Sequence, residues 1–469
     1  MLGQFSILLA AALMLGAVRP GRRLLLLAAS ALAVFWLQPD TQPANLVFWL
    51  PTATLLITIL AWYLTALPET RSWKQNWKAA VVLVGVIALV DVDHFIDPAH
   101  TFTGFSPRPA TLLAVLAGFC LIFLLLAILR RAERAWLALA LAAILLIFAL
   151  IKLPLQLQNL YTWLAGTSTG PDQQALLAIR WLGFSYIAFR LIHTVRDRQS
   201  GRLPAVTLDE YMTYVIFFPA LSAGPIDRIE RFVPELRQPL ALAADDWLFV
   251  IKRVSFGLFK KYVIADTLAI FALNDNLARQ VHSAGWMWLL VYAYAFQIYF
   301  DFSGYTDIAI GMARLMGLRL PENFSAPYLK TNLTLFWNSW HISLTQWFRA
   351  YYFNPLARWL RSHKVVMWVS VALAQISTML LIGLWHGVTW GYLLWGAWHG
   401  LGLFLHNRWS EAARSRSDHV VFSPFQQKLL NIGGVLLTFH FVALGWVFFA
   451  LSTPEYSWHV LLVLFGLSS

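Results

Sequence analysis

Apolar runs of about 20 residues are the feature that most restricts what this chain can fold into. Seven precede residue 200, each close to the length that a helix needs to cross the hydrocarbon of a bilayer. They cover residues 2–18, 22–37, 45–66, 79–95, 110–129, 135–153 and 176–195. Of the 469 residues, 59% are hydrophobic and 12% are charged, about half the charge of a soluble domain. This excludes a water-soluble enzyme, a disordered protein and a fibrous protein, and predicts an all-α polytopic membrane protein.

The loops between these runs alternate in basic charge. Four alternate loops hold three Lys or Arg residues each: Arg19, Arg22 and Arg23; Arg71, Lys74 and Lys78; Arg130, Arg131 and Arg134; Arg196, Arg198 and Arg202. The intervening loops hold only Arg108 and Lys152. Because basic loops stay in the cytoplasm, this bias predicts an N-terminus outside it. The first run has no basic segment before it, so we expect a membrane helix and not a cleaved signal peptide.

The pattern changes after residue 200. Glu210–Gly224 is apolar but short and has basic residues on both sides, which predicts a re-entrant hairpin. Residues 245–274 mix apolar residues with lysines and arginines, which predicts an interfacial amphipathic helix. Further apolar runs cover 286–311, 333–360, 366–385, 390–406, 428–450 and 457–467. We expect about 11–13 membrane segments in one membrane-embedded domain over 1–469.

Charge and cysteine content restrict partners and chemistry. The net charge is +12, but the basic residues occupy short loops, so membrane topology explains them and nucleic acid is not expected as a partner. Cys120 is the single cysteine and lies in an apolar run, so an intramolecular disulfide cannot form. Motifs for a serine nucleophile, a zinc site and a nucleotide-binding loop are absent from the sequence. No metal is expected.

Polar residues inside apolar runs are the functional candidates, because burying them in a membrane is costly. In the first such cluster, residues 294–314, Gln297 and Asp301 share one face of a helix, while Asp307 lies elsewhere. These carboxylates could contact a substrate or form structural ion pairs, and the sequence leaves both open.

The second cluster covers residues 335–352. On one continuous helix, Asn338, His341, Thr345 and Arg349 fall within an arc of about 80°. The opposite side is apolar and mostly aromatic. A surface amphipathic helix would look similar, but this stripe carries an imidazole, and we expect Asn338 and Thr345 to hydrogen-bond it and fix its tautomer.

The third cluster covers residues 382–406 and contains three histidines. His386 is flanked by glycines and tryptophans, and glycines permit a close approach of backbone or ligand. On a continuous second helix, Trp395, His399 and His406 share one face. Apolar surroundings favour a neutral imidazole, which is the form that acts as a general base. The residues alone therefore predict a membrane-embedded site with a histidine base and aromatic walls.

The same clusters resemble the membrane-bound O-acyltransferase family, in particular its bacterial alginate O-acetyltransferase-like branch. The similar stretches are FPALSAGPIDR at 218–228, FGLFKKYVIAD at 256–266, YAFQIYFDFSGYTDIAIGMARLMG at 294–317, PENFSAPYL at 321–329, FWNSWHISLTQWFRAYYFNPL at 336–356 and GLWHGVTWGYLLWGAWHG at 383–400. The chain departs from that branch at Ala350, where an acidic residue is usual, and after Pro355. These departures leave the acceptor open.

The resemblance implies an O-acyltransferase with a catalytic core at 211–406, peripheral helices at 1–200 and a C-terminal segment at 407–469, arranged around a central tunnel or funnel. It assigns the catalytic role to His386 and the second signature position to His341. It makes further residues candidates for the substrate or the tunnel: Asn338, Thr345, Arg349, Gln297, Asp301, Tyr305, Trp385 and His399. It also suggests Lys260 and Lys261 as contacts for CoA phosphates.

The donor implied by the resemblance is a thioester such as acetyl-CoA, loaded from the cytoplasmic side of a bacterial inner membrane, with no bound cofactor. The acceptor would be an exported polysaccharide or a periplasmic partner protein. D-alanyl transfer from a carrier-protein thioester to a cell-wall polymer is the alternative within this class. A proton-coupled transporter using His341, Asp301 and Asp307, and a catalytically silent scaffold, are alternatives of other classes.

Overall fold

The structure is a computed structural model, and it describes residues 2–18, 21–39, 44–96, 103, 107–128, 133–152, 181–417 and 423–467. Within these ranges the regular structure is helical, and the single bridge between extended residues joins Phe324 to Trp340. The all-α prediction is confirmed.

The helices of the first half follow the apolar runs. They are α1 (Leu2–Ala17), α2 (Arg22–Trp36), α3 (Ala44–Thr65), α4 (Trp73–Ile96), α5 (Pro109–Ile128), α6 (Glu133–Lys152), α7 (Phe184–Gln199), α8 (Leu208–Ile216), α9 (Ile229–Arg237) and α10 (Ala244–Leu258). The predicted run 176–195 begins outside the described residues, and α7 accounts for its second half.

The second half contains longer helices and more interruptions. They are α11 (Asp266–Ala269), α12 (Asp275–Gln280), α13 (Ala284–Leu315), α14 (Leu333–Trp337), α15 (Ile342–Phe348), α16 (Asn354–Ser362), α17 (Met367–His386), α18 (Trp390–Ser417), α19 (Pro424–Ala450) and α20 (Pro454–Leu464). A π-helix at Phe259–Ala265 joins α10 to α11, and a second at Arg349–Phe353 joins α15 to α16.

Six helices in the described ranges are long and apolar enough to cross a membrane, so the chain is a multi-pass membrane protein. These spans are Leu46–Thr65, Trp73–Asp93, Pro109–Leu126, Ala135–Lys152, Met367–His386 and Pro424–Ala450. Three other predicted runs correspond to shorter helices, α1, α2 and α7, with 16, 15 and 16 residues. The runs at 286–311 and 390–406 lie on the long helices α13 and α18, which are not among these six spans. The larger number of segments and the orientation of the chain stay predictions.

The chain packs into two compact units. The first comprises Met1–Ile251 with Ala309–Leu320, and the second comprises Lys252–Ile308 with Pro321–Ser469. The three histidines of the third cluster, His386, His399 and His406, lie in the second unit. The predicted single domain and its inner boundaries stay predictions.

In the first unit, a buried arginine supports the irregular backbone of the predicted re-entrant segment. Arg190 is 1% exposed and donates hydrogen bonds to the carbonyl oxygens of Val215 and Ala220, at 2.7 and 2.6 Å. These carbonyls lie near the end of α8 and in the 3-10 turn that follows it. Irregular backbone surrounded by apolar side chains needs such partners inside the protein.

In the second unit, two glycines allow α10 and α13 to cross with their backbones in contact. A Cβ atom on Gly304 would lie 2.7 Å from the carbonyl oxygen of Gly257, and one on Gly257 would lie 2.7 Å from that of Gly304. Ion pairs flank the crossing, since Lys260 Nζ lies 2.6 Å from Asp307 Oδ2 and Arg253 also pairs with Asp307. The contact requires residues without side chains at both positions.

Gly304→Ala should therefore destabilise the protein by about 1–3 kcal/mol, because the new methyl group overlaps a backbone atom that has no room to move. Gly285→Ala is the matched control in the same helix, since a Cβ there meets nothing within 4 Å. The measurement is the thermal unfolding midpoint of each purified variant in the same detergent. Equal midpoints for the two variants would contradict the close crossing.

Candidate active site

His341 lies in a sharp break between α14 and α15. Its backbone is in the left-handed region, with φ 42° and ψ 55°, and it stands immediately before the first residue of α15. Few residues other than glycine adopt this conformation. The expected continuous helix over 335–352 is therefore wrong: the chain turns after Asn338, and the four polar residues do not form one helical stripe.

Asn323 holds the chain on the C-terminal side of His341. Its backbone carbonyl accepts a hydrogen bond from the Ile342 N–H at 3.0 Å. Its side-chain Oδ1 accepts bonds from the Ser343 N–H at 3.2 Å and from the Ser343 hydroxyl at 2.6 Å. Asn323 is fully buried. It therefore satisfies the first N–H groups of α15 and stabilises the unusual backbone at His341.

The imidazole of His341 is buried among aromatic rings. Its ring centroid lies 4.7 Å from that of Phe302 and 6.1 Å from that of Trp385, and the residue is 2% exposed. Neither ring nitrogen has a hydrogen-bond partner among the described residues. The expected bonds from Asn338 and Thr345 are absent there, because Asn338 binds Arg349 and the Thr345 hydroxyl points to the Trp340 carbonyl. A buried, unsatisfied imidazole is costly unless a substrate or water completes it.

His386 is the last residue of α17, where a candidate membrane span ends. Its ring centroid lies 4.5 Å from that of Trp385 and 4.8 Å from that of Phe449. The rings of Trp395 and Tyr392 follow at 5.6 and 6.0 Å. His386 is only partly buried, so a reactant can reach it while aromatic walls exclude bulk water.

The two histidines are brought together by one indole. The ring centroid of Trp385 lies 6.1 Å from that of His341 and 4.5 Å from that of His386. One ring can take a proton while the other donates a hydrogen bond, which is what acyl transfer to a hydroxyl requires. The catalytic pairing of His341 with His386 stays a prediction.

His399 occupies a different environment. It is fully buried on α18, which is continuous as expected, and its ring lies 5.1 Å from that of Trp395 and 5.2 Å from that of Trp337. Its Nε2 would be 2.7 Å from a Cβ atom on Gly445. Its role as a tunnel residue stays a prediction, but tight packing restricts access to it.

Three predicted candidates line a cavity of about 220 Å³ whose lining includes neither His341 nor His386. Asn338, Thr345 and Arg349 contribute to one side, and Gln375 and Asn407 to the other. Arg349 Nη2 donates to Asn338 Oδ1 at 2.6 Å, across the break in the helix. The polar side chains therefore stay together although the helix that was expected to align them is interrupted.

The charged candidates on α13 and on the π-helix at Phe259–Ala265 lie in ion pairs. Asp301 pairs with Lys261, while Asp307 pairs with Lys260 and Arg253. Each carboxylate of the proposed proton path is therefore held by at least one cation, and each lysine proposed for CoA phosphates already has an anionic partner. Gln297 and Tyr305 are half-buried on the same helix. All of these assignments stay predictions.

Sequence reasoning missed Asn323, Phe302 and Phe449. Asn323 lies in the PENFSAPYL stretch and Phe302 in the α13 stretch, so both were within recognisable motifs, but nothing in either motif points to His341. Phe449 lies on α19, beyond the stretches that carry the resemblance. These residues contact the His341 segment or the His386 ring only in the folded chain, so the local sequence does not point to them.

One group of potential metal-ligating atoms occurs among the described residues, in the first unit. A ring nitrogen of His193 and one carboxylate oxygen each of Asp197 and Glu230 form this group, and the three atoms lie within 4.8 Å of one another. Arg202 pairs with Asp197 at 2.6 Å, and Arg228 Nη1 lies 3.7 Å from Glu230. Both carboxylates thus have cationic partners already, and the expectation of no metal stays a prediction.

Comparisons with known proteins show the family to which the chain belongs. The family model described as "MBOAT, membrane-bound O-acyltransferase family" matches residues 125–453. The teichoic acid D-alanyltransferase of Streptococcus thermophilus is 30% identical over 317 residues, which cover 64% of this chain and 74% of that protein. The "Probable alginate O-acetylase" of Pseudomonas aeruginosa is 37% identical over 287 residues, covering 61% of this chain and 51% of that protein.

A peptidoglycan O-acetyltransferase of Helicobacter pylori is 35% identical over 270 residues, covering 55% of this chain and 47% of that protein. The chain thus spans about half the length of these two O-acetyltransferase relatives and about three quarters of the D-alanyltransferase. The matches confirm the resemblance found in the sequence.

Asn323→Ala should destabilise the protein by about 1–3 kcal/mol, because the buried Ser343 hydroxyl and N–H lose their acceptor. Asn431→Ala is the control, since Asn431 is exposed on α19. Thermal unfolding in detergent measures the effect. An Asn323→Ala variant as stable as the control would show that Asn323 does not hold the His341 backbone.

Proposed function

Because the chain belongs to the membrane-bound O-acyltransferase family, we propose that it transfers an acetyl group from a thioester donor, acetyl-CoA, to hydroxyl groups of an exported or cell-surface polysaccharide. Transfer is direct or passes through a periplasmic acyl-accepting protein. The observation that supports the proposal is the pair of imidazoles beside Trp385, one of them buried with no hydrogen-bond partner at either ring nitrogen among the described residues.

In the proposed reaction, the neutral imidazole of His386 accepts the proton of the acceptor hydroxyl. The hydroxyl oxygen attacks the thioester carbonyl carbon, a C–O bond forms and the C–S bond breaks. The proton held by His386 then passes to the leaving sulfur, so the products are an ester and a thiol. This route uses general acid–base chemistry throughout.

His341 has the supporting role in this proposal. A ring N–H directed at the thioester carbonyl oxygen stabilises the negative charge that develops there as the bond forms. The aromatic rings around both histidines reduce the local dielectric and strengthen that interaction. The donor is loaded from the cytoplasmic side of a bacterial inner membrane, which agrees with the orientation predicted from the alternating basic loops.

D-alanyl transfer to a cell-wall polymer is the second candidate. This chain covers 74% of the length of the teichoic acid D-alanyltransferase of S. thermophilus, compared with 51% of the P. aeruginosa relative. The proposed chemistry at the two histidines is the same for an acetyl and a D-alanyl thioester. The two functions therefore differ in the donor and the acceptor and share the catalytic centre.

His386→Ala should lower the rate of acyl transfer by about 10²–10⁴-fold, as expected for the loss of a general base. His363→Ala is the control, because His363 is an exposed histidine of the same unit. The assay follows radiolabelled acetyl from acetyl-CoA into polysaccharide in proteoliposomes of equal protein content. A His386→Ala variant with more than about a tenth of the wild-type rate would rule out this assignment.

His341 can be tested without disturbing its backbone. Asn tolerates the left-handed conformation and keeps a donor, while Gly adopts it freely and has no polar side chain. We expect His341→Asn to retain measurable transfer and His341→Gly to lose it. Equal rates for the two variants would exclude hydrogen bonding by residue 341.

Sealed vesicles test the side of donor loading. Acetyl-CoA added to inside-out vesicles should support transfer, because the cytoplasmic face is exposed, whereas the same addition to right-side-out vesicles should not. Transfer by external acetyl-CoA in right-side-out vesicles would contradict the orientation inferred from the loops.

A further inference from the structure

A basic cavity lies in the first unit, and its lining contains no histidine. It has a volume of about 450 Å³, within the range of about 300–1,000 Å³ for small-molecule sites. Four cationic side chains contribute to its lining: Arg22, Arg23, Lys78 and Arg237. Asp209 is its only acidic lining residue among the described residues.

Arg22 is the least compensated of these cations. It is 6% exposed, and its guanidinium donates to the carbonyl oxygens of Leu236 and Gln238 at 3.3 and 3.4 Å. No carboxylate forms an ion pair with it in the part of the chain that the structure describes. A buried guanidinium held only by neutral carbonyls retains its full charge, which an anion in the cavity would balance.

Two of the other cations share a small number of carboxylates. Arg23 Nε lies 2.8 Å from Asp209 Oδ2, and its Nη2 lies 3.0 Å from Glu210 Oε1. Arg237 Nε lies 2.8 Å from the same Glu210 oxygen. Lys78 is exposed at the rim, without a carboxylate partner among the described residues. Four cations thus face two carboxylates, which leaves two positive charges.

The cavity also includes the beginning of α2. Gly21 precedes this helix, and within the described residues no side chain caps its first turn. The first N–H groups of a helix have no partner inside the helix and carry partial positive charge. They add backbone donors to the arginines on the same wall.

We propose that this cavity binds a phosphate ester. Two uncompensated positive charges match the charge of a phosphate group, and planar guanidinium groups bind phosphate oxygens with paired hydrogen bonds. Sequence analysis places Arg22, Arg23 and Lys78 in loops expected at the cytoplasmic face. Two sources supply a phosphate ester there: an anionic phospholipid headgroup, and the phosphates of a soluble nucleotide such as CoA.

The test uses the purified full chain in a non-ionic detergent and three probes. Dioctanoyl phosphatidylglycerol represents the lipid, adenosine 3′,5′-bisphosphate represents the nucleotide, and dioctanoylglycerol lacks the phosphate. Binding is measured by isothermal titration for the wild type and for Arg22→Gln combined with Lys78→Gln. The matched control is Arg196→Gln combined with Lys74→Gln, which removes the same charge from exposed positions outside the cavity.

We expect one phosphate probe to bind the wild type and the control variant equally. The cavity variant should bind that probe about tenfold more weakly for each charge-assisted contact that it has lost. Phosphatidylglycerol binding alone identifies a lipid site, and bisphosphate binding identifies a nucleotide site. Arg22→Lys keeps the charge but loses the paired hydrogen bonds, so it should bind more weakly than the wild type and more tightly than the cavity variant, which separates lost charge from a folding defect.

Three results would overturn the proposal. The first is binding of neither phosphate probe by the wild type. The second is an equal loss in the control variant, which would indicate general electrostatic attraction. The third is equally tight binding of dioctanoylglycerol, which would indicate an apolar site.

Discussion

Buried polar groups in a chain this apolar need partners within the protein, because lipid supplies none. Several described residues show how such partners are supplied. Arg190 supplies two donors to the carbonyls of a broken helix, and Asn323 accepts the first N–H groups of α15. The Tyr328 hydroxyl donates to the Ala295 carbonyl and accepts from the Trp446 indole. Two buried histidines of the second unit, His341 and His399, have no hydrogen-bond partner at either ring nitrogen among the described residues, and buried groups of this kind need a structural or functional explanation.

The same rule explains where the charges of the second unit lie. Asp307 is 5% exposed and is balanced by both Lys260 and Arg253, next to the close crossing at Gly257 and Gly304. Breaking such a pair leaves a buried charge without compensation. These groups therefore fix how α10 and α13 pack. The cations of the first unit that line the basic cavity are balanced less completely, which makes that cavity the stronger candidate for phosphate.

Most of the fold could be predicted from the sequence because apolar runs of membrane length have few alternatives to a helix. The run predicted at 366–385 appears as Met367–His386, and the one at 45–66 appears as Ala44–Thr65. His386 could be singled out as a candidate functional residue from its flanking glycines and tryptophans. The break at His341 could not, because the residues from Asn338 to Ile342 include neither Gly nor Pro and the break depends on Asn323, which lies 18 residues earlier. The π-helix at Phe259–Ala265 likewise lacks a local signal and lies where Lys260 and Lys261 reach carboxylates on α13.

The central claim is that the thioester reacts between His341 and His386. A structure of the full chain with acetonyl-CoA, which keeps the carbonyl but cannot transfer an acetyl group, tests it most directly. We predict that the carbonyl oxygen lies within about 3.2 Å of a ring nitrogen of His341. His386 should face the carbonyl carbon from the side on which the acceptor hydroxyl binds. A carbonyl bound out of reach of both imidazoles would contradict it.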